Sequence, residues 1–146
     1  MNHSDNRIAP DDFSPAQGAD WLGLKRRVCV VTGAGSGIGA AIAESLAAVG
    51  ARVALVDRDG DAARQMATRL GTQGGHALAV ACDITDESAV SAAAAHVRES
   101  LGPAAVLITN AGLLRPGSLD SVSLADWNAV LAVNLTGYLL CSRAFG

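Results

Sequence analysis

Apolar residues along the chain alternate between short runs and a helical period, and the alternation begins at Val28. Val28 to Val31 is a β-branched run suited to a central strand covered on both faces. Thr32 to Gly37 reads as a turn. Ile38, Ala41, Ile42, Ser45, Leu46 and Val49 then fall on one predicted helical face, with Gly50 placed to end that helix. Arg52 to Val56 predicts a second strand. The helix after it turns Ala62, Ala63, Met66 and Leu70 inward and stops at Gly71, and Gly74-Gly75 makes the next turn. His76 to Ala81 reads as a third strand. Val90, Ala94, Val97 and Leu101 mark a third helix, ended by Gly102 and Pro103. Ala105 to Thr109 predicts a fourth strand. After a loop from Asn110 to Ser121, Ser123 and Asp126 have the spacing of a capping box, opening a helix through Trp127, Leu131, Leu135 and Leu139. Strands alternating with helices in this way predict βαβ units and a parallel sheet.

Residues 1–22 mix Asn, Asp, Ser, Pro and Gly without a period and read as a flexible leader, with Trp21 and Leu22 able to dock on the body. Residues 23–146 form one α/β domain. The chain has 146 residues, half of them apolar, enough for a single core. Its net charge of -3 provides no basic field for a polyanion, so nucleic acid and acidic membrane surfaces are excluded as partners. Cys29, Cys82 and Cys141 stand far apart in apolar settings and read as buried thiols, not as a metal or redox set. No apolar run is long enough to span a bilayer, and the expected compartment is the cytoplasm.

The chemistry concentrates in the turn after the first strand, Thr32-Gly33-Ala34-Gly35-Ser36-Gly37-Ile38-Gly39. Between a strand and a helix, such a turn offers backbone N–H groups and a helix N-terminus to a pyrophosphate. Gly33 supplies the sharp turn, Gly37 lets the backbone approach the phosphates, and Gly39 lets the helix pack closely on the first strand. The alternative is a glycine-rich turn with no ligand. The spacing TGxxxGIG differs from the general GxGxxG fingerprint and resembles the short-chain dehydrogenase/reductase family. That resemblance runs from about Leu24 to the C-terminus and implies a Rossmann-type doubly wound sheet, here with strand order 3-2-1-4.

Asp57 closes the second strand 18 residues after Gly39, near the spacing at which an acid meets the adenosine ribose. A carboxylate accepts from ribose hydroxyls and repels a 2′-phosphate, which favours NAD over NADP. Arg58 pulls the other way, since an arginine there can pair with a 2′-phosphate or simply lie in solvent. By resemblance, Asp83, followed by Ile84, bonds the adenine edge; the plain reading of Asp83 is a loop aspartate capping local amides. Thr109-Asn110-Ala111-Gly112 resembles the family's NAG motif, with Thr109 in place of a commoner Asn, and implies that Asn110, Ala111 and Gly112 line the cofactor groove. Asn134 matches the family's helix asparagine, implying a part in a proton relay. Its plain reading is a polar helix residue with a local partner.

Family members reduce a ketone or oxidise an alcohol with a Ser and with a Tyr whose pKa is lowered by a Lys four residues on. Tyr138 is the only tyrosine here and is followed four residues later by Ser142, while Lys25, the only lysine, precedes the first strand. The cofactor motifs are therefore expected without the catalytic Ser and Tyr-Lys pair, and this chain alone is expected to be inactive. The parent activity implied is NAD-dependent hydride transfer on a small alcohol or carbonyl compound, in a homo-oligomer that uses the helix beginning near Ser123. A non-catalytic NAD-binding module and another Rossmann enzyme, such as a methyltransferase, are the alternatives. A fourth strand left at the sheet edge and a poorly covered last helix predict marginal stability.

Overall fold

A computed structural model of the chain describes Asp20 and residues 22–146. The expected leader, and the docking of Trp21, lie outside the described residues except at Asp20 and Leu22. Leu22 is exposed, and Leu24 packs on the core instead. The Asp20 carboxylate accepts the backbone N–H groups of Leu24 and Lys25 at 2.9 and 3.2 Å, forming a turn that leads into the domain.

The elements run β1 (Val28–Thr32), α1 (Gly37–Ala48), β2 (Arg52–Asp57), α2 (Gly60–Thr72), β3 (His76–Ala81), α3 (Glu87–Leu101), β4 (Ala104–Ile108), α4 (Leu124–Leu131) and α5 (Gly137–Phe145). A π-helical turn, Ala132–Thr136, joins the last two. The four strands are parallel in the order β3-β2-β1-β4, as the family resemblance implies. Because side chains alternate along a strand, β1 and β2 feed two cores. Cys29, Val31, Val53 and Leu55 meet α1 and α2 through Ala43, Leu46, Met66 and Leu70. Val30, Ala54 and Val56 meet α3 and α5 through Val90, Val97, Leu140 and Phe145. All three cysteines are buried free thiols, as expected.

Several local expectations are corrected. The fourth strand starts one residue early, at Ala104, and the register with β1 skips Ala105, since Val28 faces Ala104 while Cys29 faces Val106. This bulge puts Ala104 and Val106 on opposite cores despite their even spacing. On α1 the buried face is Gly39, Ala40, Ala43 and Leu46, whereas Ile38, Ala41 and Ser45 are exposed. Small residues face inward because the helix lies close to the β1 turn. The second helix runs through Gly71 to Thr72, and the reversal falls at Gly74, with φ of 82°. Ala62 is only half-buried.

The last helix departs most. Trp127, Leu135 and Leu139 are exposed, no residue of α4 is buried, and the inward face is Gly137, Leu140, Cys141 and Phe145. The π turn accommodates an extra residue, so the i, i+4 stripe read from the sequence loses its phase there. Arg52 supplies a contact that periodicity cannot show: its guanidinium reaches across from β2 to donate to the carbonyl oxygens of Leu101 and Ser100, at 2.7 and 3.4 Å. It thereby caps the C-terminus of α3, where a cation also meets the negative end of the helix dipole.

Candidate functional site

The C-terminal ends of the parallel strands meet where the chain leaves β1 in one direction and β4 in the other. Thr32 is fully buried at this junction. Its Oγ1 accepts the N–H groups of Asn110 and Ala111 at 3.0 and 3.1 Å. The Asn110 amide returns the contact, donating from Nδ2 to the carbonyl oxygens of Thr32 and Gly33 at 3.0 and 3.2 Å. The Thr32 hydroxyl itself donates to the Ile108 carbonyl oxygen at 3.5 Å, so five hydrogen bonds fasten the start of the glycine turn to the end of β4.

The glycines divide by role. Gly33 turns the chain at φ of 65°, and a Cβ there would meet Ala111 Cα at 2.8 Å. A Cβ on Gly39 would stand 2.1 Å from the Gly33 carbonyl oxygen and 2.5 Å from Asn110 Nδ2. Gly39 thus permits close approach of α1 to its own leading turn and to Asn110, a tighter constraint than contact with the strand. Gly35 sits between Ala62 Cβ and the Asp57 carboxylate, 2.8 and 3.0 Å from where its Cβ would be. Gly37 differs: it has φ of 55° and a Cβ would point into open space. That open space is what a ligand above the turn needs.

Helices α2, α3 and α4 each have a side-chain cap, from Asp59, Asp86 and Ser123. Hydrogen bonds from the Ser88 hydroxyl and the Ala89 and Ser88 amides hold the Asp86 carboxyl below its usual range. The N-cap of α1, Ser36, makes no such bond, and the first turn carries no acid. The N–H groups at this end of α1 are left to an incoming anion.

A cavity of about 630 Å³ opens over this end of α1. Gly33, Ser36, Gly37 and Ile38 form its floor, and the exposure of Ile38 follows from its place on that floor. The β2 and β3 ends contribute Val56, Asp57, Arg58, Cys82, Asp83, Ile84 and Thr85. Asp57 accepts the Gly35 N–H on Oδ2 and the Asp59 N–H on Oδ1, both at 2.9 Å, which fixes the carboxylate beside the glycine turn. Asp83 accepts from the Thr85 N–H and hydroxyl at 2.9 and 2.7 Å on Oδ1, the local cap of its plain reading, while still lining the cavity. Burial above all pushes the Cys82 thiol up to about 11, with the nearby Cys141, Asp83 and Asp86 adding to it, so at neutral pH it is a protonated part of the wall.

The β4 end contributes Asn110, Ala111, Gly112, Leu113 and Arg115, faced by Ala129 from α4 and by Ala132 and Val133 from the π turn. Thr32, Gly35, Gly39 and Asn134 stand behind the wall and shape it. Asn134 lies in the π turn, where its Oδ1 accepts the Leu113 N–H at 2.8 Å and its Nδ2 donates to the Leu113 carbonyl at 3.0 Å. The amide finds its partner in the segment that follows the Asn110 motif, and so holds Leu113 against the cavity. Sequence reasoning passed over Leu113, Arg115, Ala129, Ala132 and Val133, because nothing in their type or spacing marks them. Gly137 carried a usable signal as a glycine inside a helix: its Cβ would meet Ile84 Cδ1 at 2.8 Å, so α5 seats the loop after β3.

The arrangement can hold a dinucleotide stretched across the strand ends, with acids at one end, uncapped amides in the middle and a mostly apolar recess at the other. Residues 27–146 match the family model for short chain dehydrogenase. A D-threitol dehydrogenase of Mycolicibacterium smegmatis is 42% identical over 84% of this chain and 47% of its own length. A metagenomic short-chain oxidoreductase solved in complex with NADP superposes with a TM-score of 0.78 at 42% identity, over 84% of this chain and 56% of that one. A Burkholderia phymatum short chain dehydrogenase/reductase in complex with NAD gives a TM-score of 0.80 at 34% identity, over 84% of this chain and 43% of that one. The chain spans about half the length of the curated relatives it matches.

Proposed function

The chain belongs to the short-chain dehydrogenase family, and on that footing we propose that it forms the NAD-binding part of an oxidoreductase that moves hydride between NAD(H) and a small alcohol or carbonyl compound. The observation that carries the choice of NAD is the fixed carboxylate of Asp57, held by the Gly35 and Asp59 amides at the cavity edge. A carboxylate so placed accepts from ribose hydroxyls and meets a 2′-phosphate with like charge. Bound NAD supplies the hydride acceptor. Gly37, Ile38 and the first amides of α1 bind the pyrophosphate, Asp83 and Ile84 border the adenine, and Ala111 and Gly112 border the other end of the cofactor.

The presence of Arg58 on the cavity wall, and the NADP in the metagenomic neighbour, favour NADP as the second reading. Calorimetric titration of the chain with both nucleotides tests the choice. NAD is expected to bind more tightly, and Asp57→Asn to erase most of the difference; tighter NADP binding by the unmodified chain would reverse the assignment.

Tyr138 packs against the core under β4, and Lys25 lies next to Gly50 at the N-terminal ends of β1 and β2, opposite the cavity, so neither supplies acid/base chemistry there. We therefore expect these 146 residues to bind NAD without turnover in an alcohol-dependent assay of NADH absorbance, with Asn134 contributing a relay position to the complete reaction. A non-catalytic NAD-binding module is the alternative with the same cavity. The exposed Trp127, Leu135 and Leu139 support a homo-oligomeric state for the parent enzyme, and we assign it to the cytoplasm. No described helix is long and apolar enough to cross a membrane.

A further inference from the structure

Two cations line the cavity, and they stand at opposite ends of it. Arg58 follows β2, on the adenosine side, and Arg115 follows β4. The glycine turn after β1 lies between them, so Arg115 sits beyond the phosphates, where the reacting end of the cofactor and its substrate meet. The wall around it is otherwise apolar, made by Leu113, Ala129, Ala132 and Val133. The Arg115 side chain is about half exposed, and its guanidinium is the one full positive charge lining this end of the cavity.

Arg115 is held without being used up. Its Nε lies 3.5 Å from Asp126 Oδ1, longer than an ordinary hydrogen bond. The other oxygen of Asp126 is engaged by the Ser123 hydroxyl at 2.7 Å, and that hydroxyl in turn accepts the Asp126 N–H. The carboxylate is thereby committed to the start of α4 and steadies only the Nε edge of the arginine. Among the described residues, the Nη donors of Arg115 have no acceptor. A planar fork of donors with both arms free is the geometry that takes a carboxylate in two parallel hydrogen bonds.

We propose that Arg115 anchors a carboxylate on the substrate, so that the compound oxidised or reduced is a hydroxy or oxo acid. The proposal rests on the cofactor reading above, because that reading places the reacting carbon at this end of the cavity. It adds a substrate class that neither the glycine turn nor Asp57 can indicate.

The test uses the chain saturated with NADH, titrated with 4-oxopentanoate and with its neutral methyl ester by ligand-observed NMR, while calorimetry follows NADH itself. The acid is expected to bind at least about tenfold more tightly than the ester, as a charge-assisted pair implies. Arg115→Gln should remove that preference, Arg115→Lys should keep part of it because the charge remains without the fork, and neither should change NADH affinity. Equal binding of acid and ester, or a preference that survives Arg115→Gln, overturns the proposal while leaving the cofactor reading intact. A loss of NADH affinity in Arg115→Gln would give the arginine to the cofactor and also overturn it. Failure of the unmodified chain to bind NADH or NAD defeats the cofactor reading, and this proposal with it.

Discussion

Replacing Thr32 by Val isolates one oxygen atom at the junction of β1 and β4. The two side chains share shape and β-branching, and valine is at least as suited to a buried strand end, so packing and propensity are nearly held constant. What disappears is the acceptor for two backbone N–H groups, those of Asn110 and Ala111, now 3.0 and 3.1 Å from Oγ1, together with a long donation from the hydroxyl to the Ile108 carbonyl oxygen at 3.5 Å. Leaving a buried donor unsatisfied costs about 1–3 kcal/mol. Both amides are part-buried, and the lower half of that range applied twice gives a loss of about 2–4 kcal/mol. Thr32→Ser keeps the hydroxyl and removes one methyl group, a loss of about 1 kcal/mol. Urea unfolding followed by circular dichroism should rank the unmodified chain first, Thr32→Ser second and Thr32→Val last. NAD affinity should follow the same order, because the glycine turn is tied to β4 through these bonds. If Thr32→Val proved as stable as Thr32→Ser, the hydroxyl would be incidental and the network would not be what fastens the turn.

Gly39→Ala and Gly37→Ala should fail differently. The first drives a methyl group to 2.1 Å from the Gly33 carbonyl oxygen and should cost both stability and NAD binding; the second has φ of 55° but open space, and should lose about 1–2 kcal/mol of stability with a larger loss in nucleotide affinity by calorimetry. Arg52→Met keeps most of the aliphatic stem but removes the bond to Leu101, and is expected to cost about 1 kcal/mol in urea unfolding; an unchanged midpoint would show that the α3 terminus needs no cap from β2. The Cys82 and Cys141 thiols are both pushed up to about 11, mainly by burial, from an ordinary value of 9.0. The folded chain therefore holds these protons more tightly than the unfolded chain, so their contribution is fully present below pH 9 and is lost as pH rises toward 11. Unfolding midpoints across this window should fall with pH in the native chain and fall less in a Cys82→Ala, Cys141→Ala double variant.

What could be read from the sequence was whatever depends on neighbours along the chain. The order of elements, the third strand from His76 to Ala81, the stop at Gly102 and the cap at Ser123 are all local signals, and the structure keeps them. The sheet order needed the family resemblance. The face of α1 could not be read from periodicity, because in a helix this rich in small residues Ile38 dominates the apolar pattern, while close packing selects Gly39, Ala40 and Ala43. The face of the last helix was lost at the π turn, which no run of side chains around Asn134 announces. Arg52 and Arg115 were invisible for a related reason: each acts on an element distant in sequence or on an open cavity, and an arginine in isolation reads as a solvated charge.

The residues legible as motif and the residues that form the wall are two overlapping sets, and the difference has a physical cause. A motif is conspicuous where the backbone is constrained, which here means Thr32, Gly35 and Gly39, each shielded from the cavity by what it supports. The wall itself needs only the right surface, and a surface can be made by Ala129, Ala132 or Val133 as readily as by many other small apolar residues. Asn134 links the two sets, since its amide fixes Leu113 and thereby turns a backbone constraint inside a helix into a position on the wall. The glycine-turn end of the cavity is accordingly specified by constrained backbone and can be read from one sequence. The β4 end is specified by which side chains project from a freer segment, and there Arg115, whose Nη donors have no acceptor among the described residues, was visible only once the chain was folded.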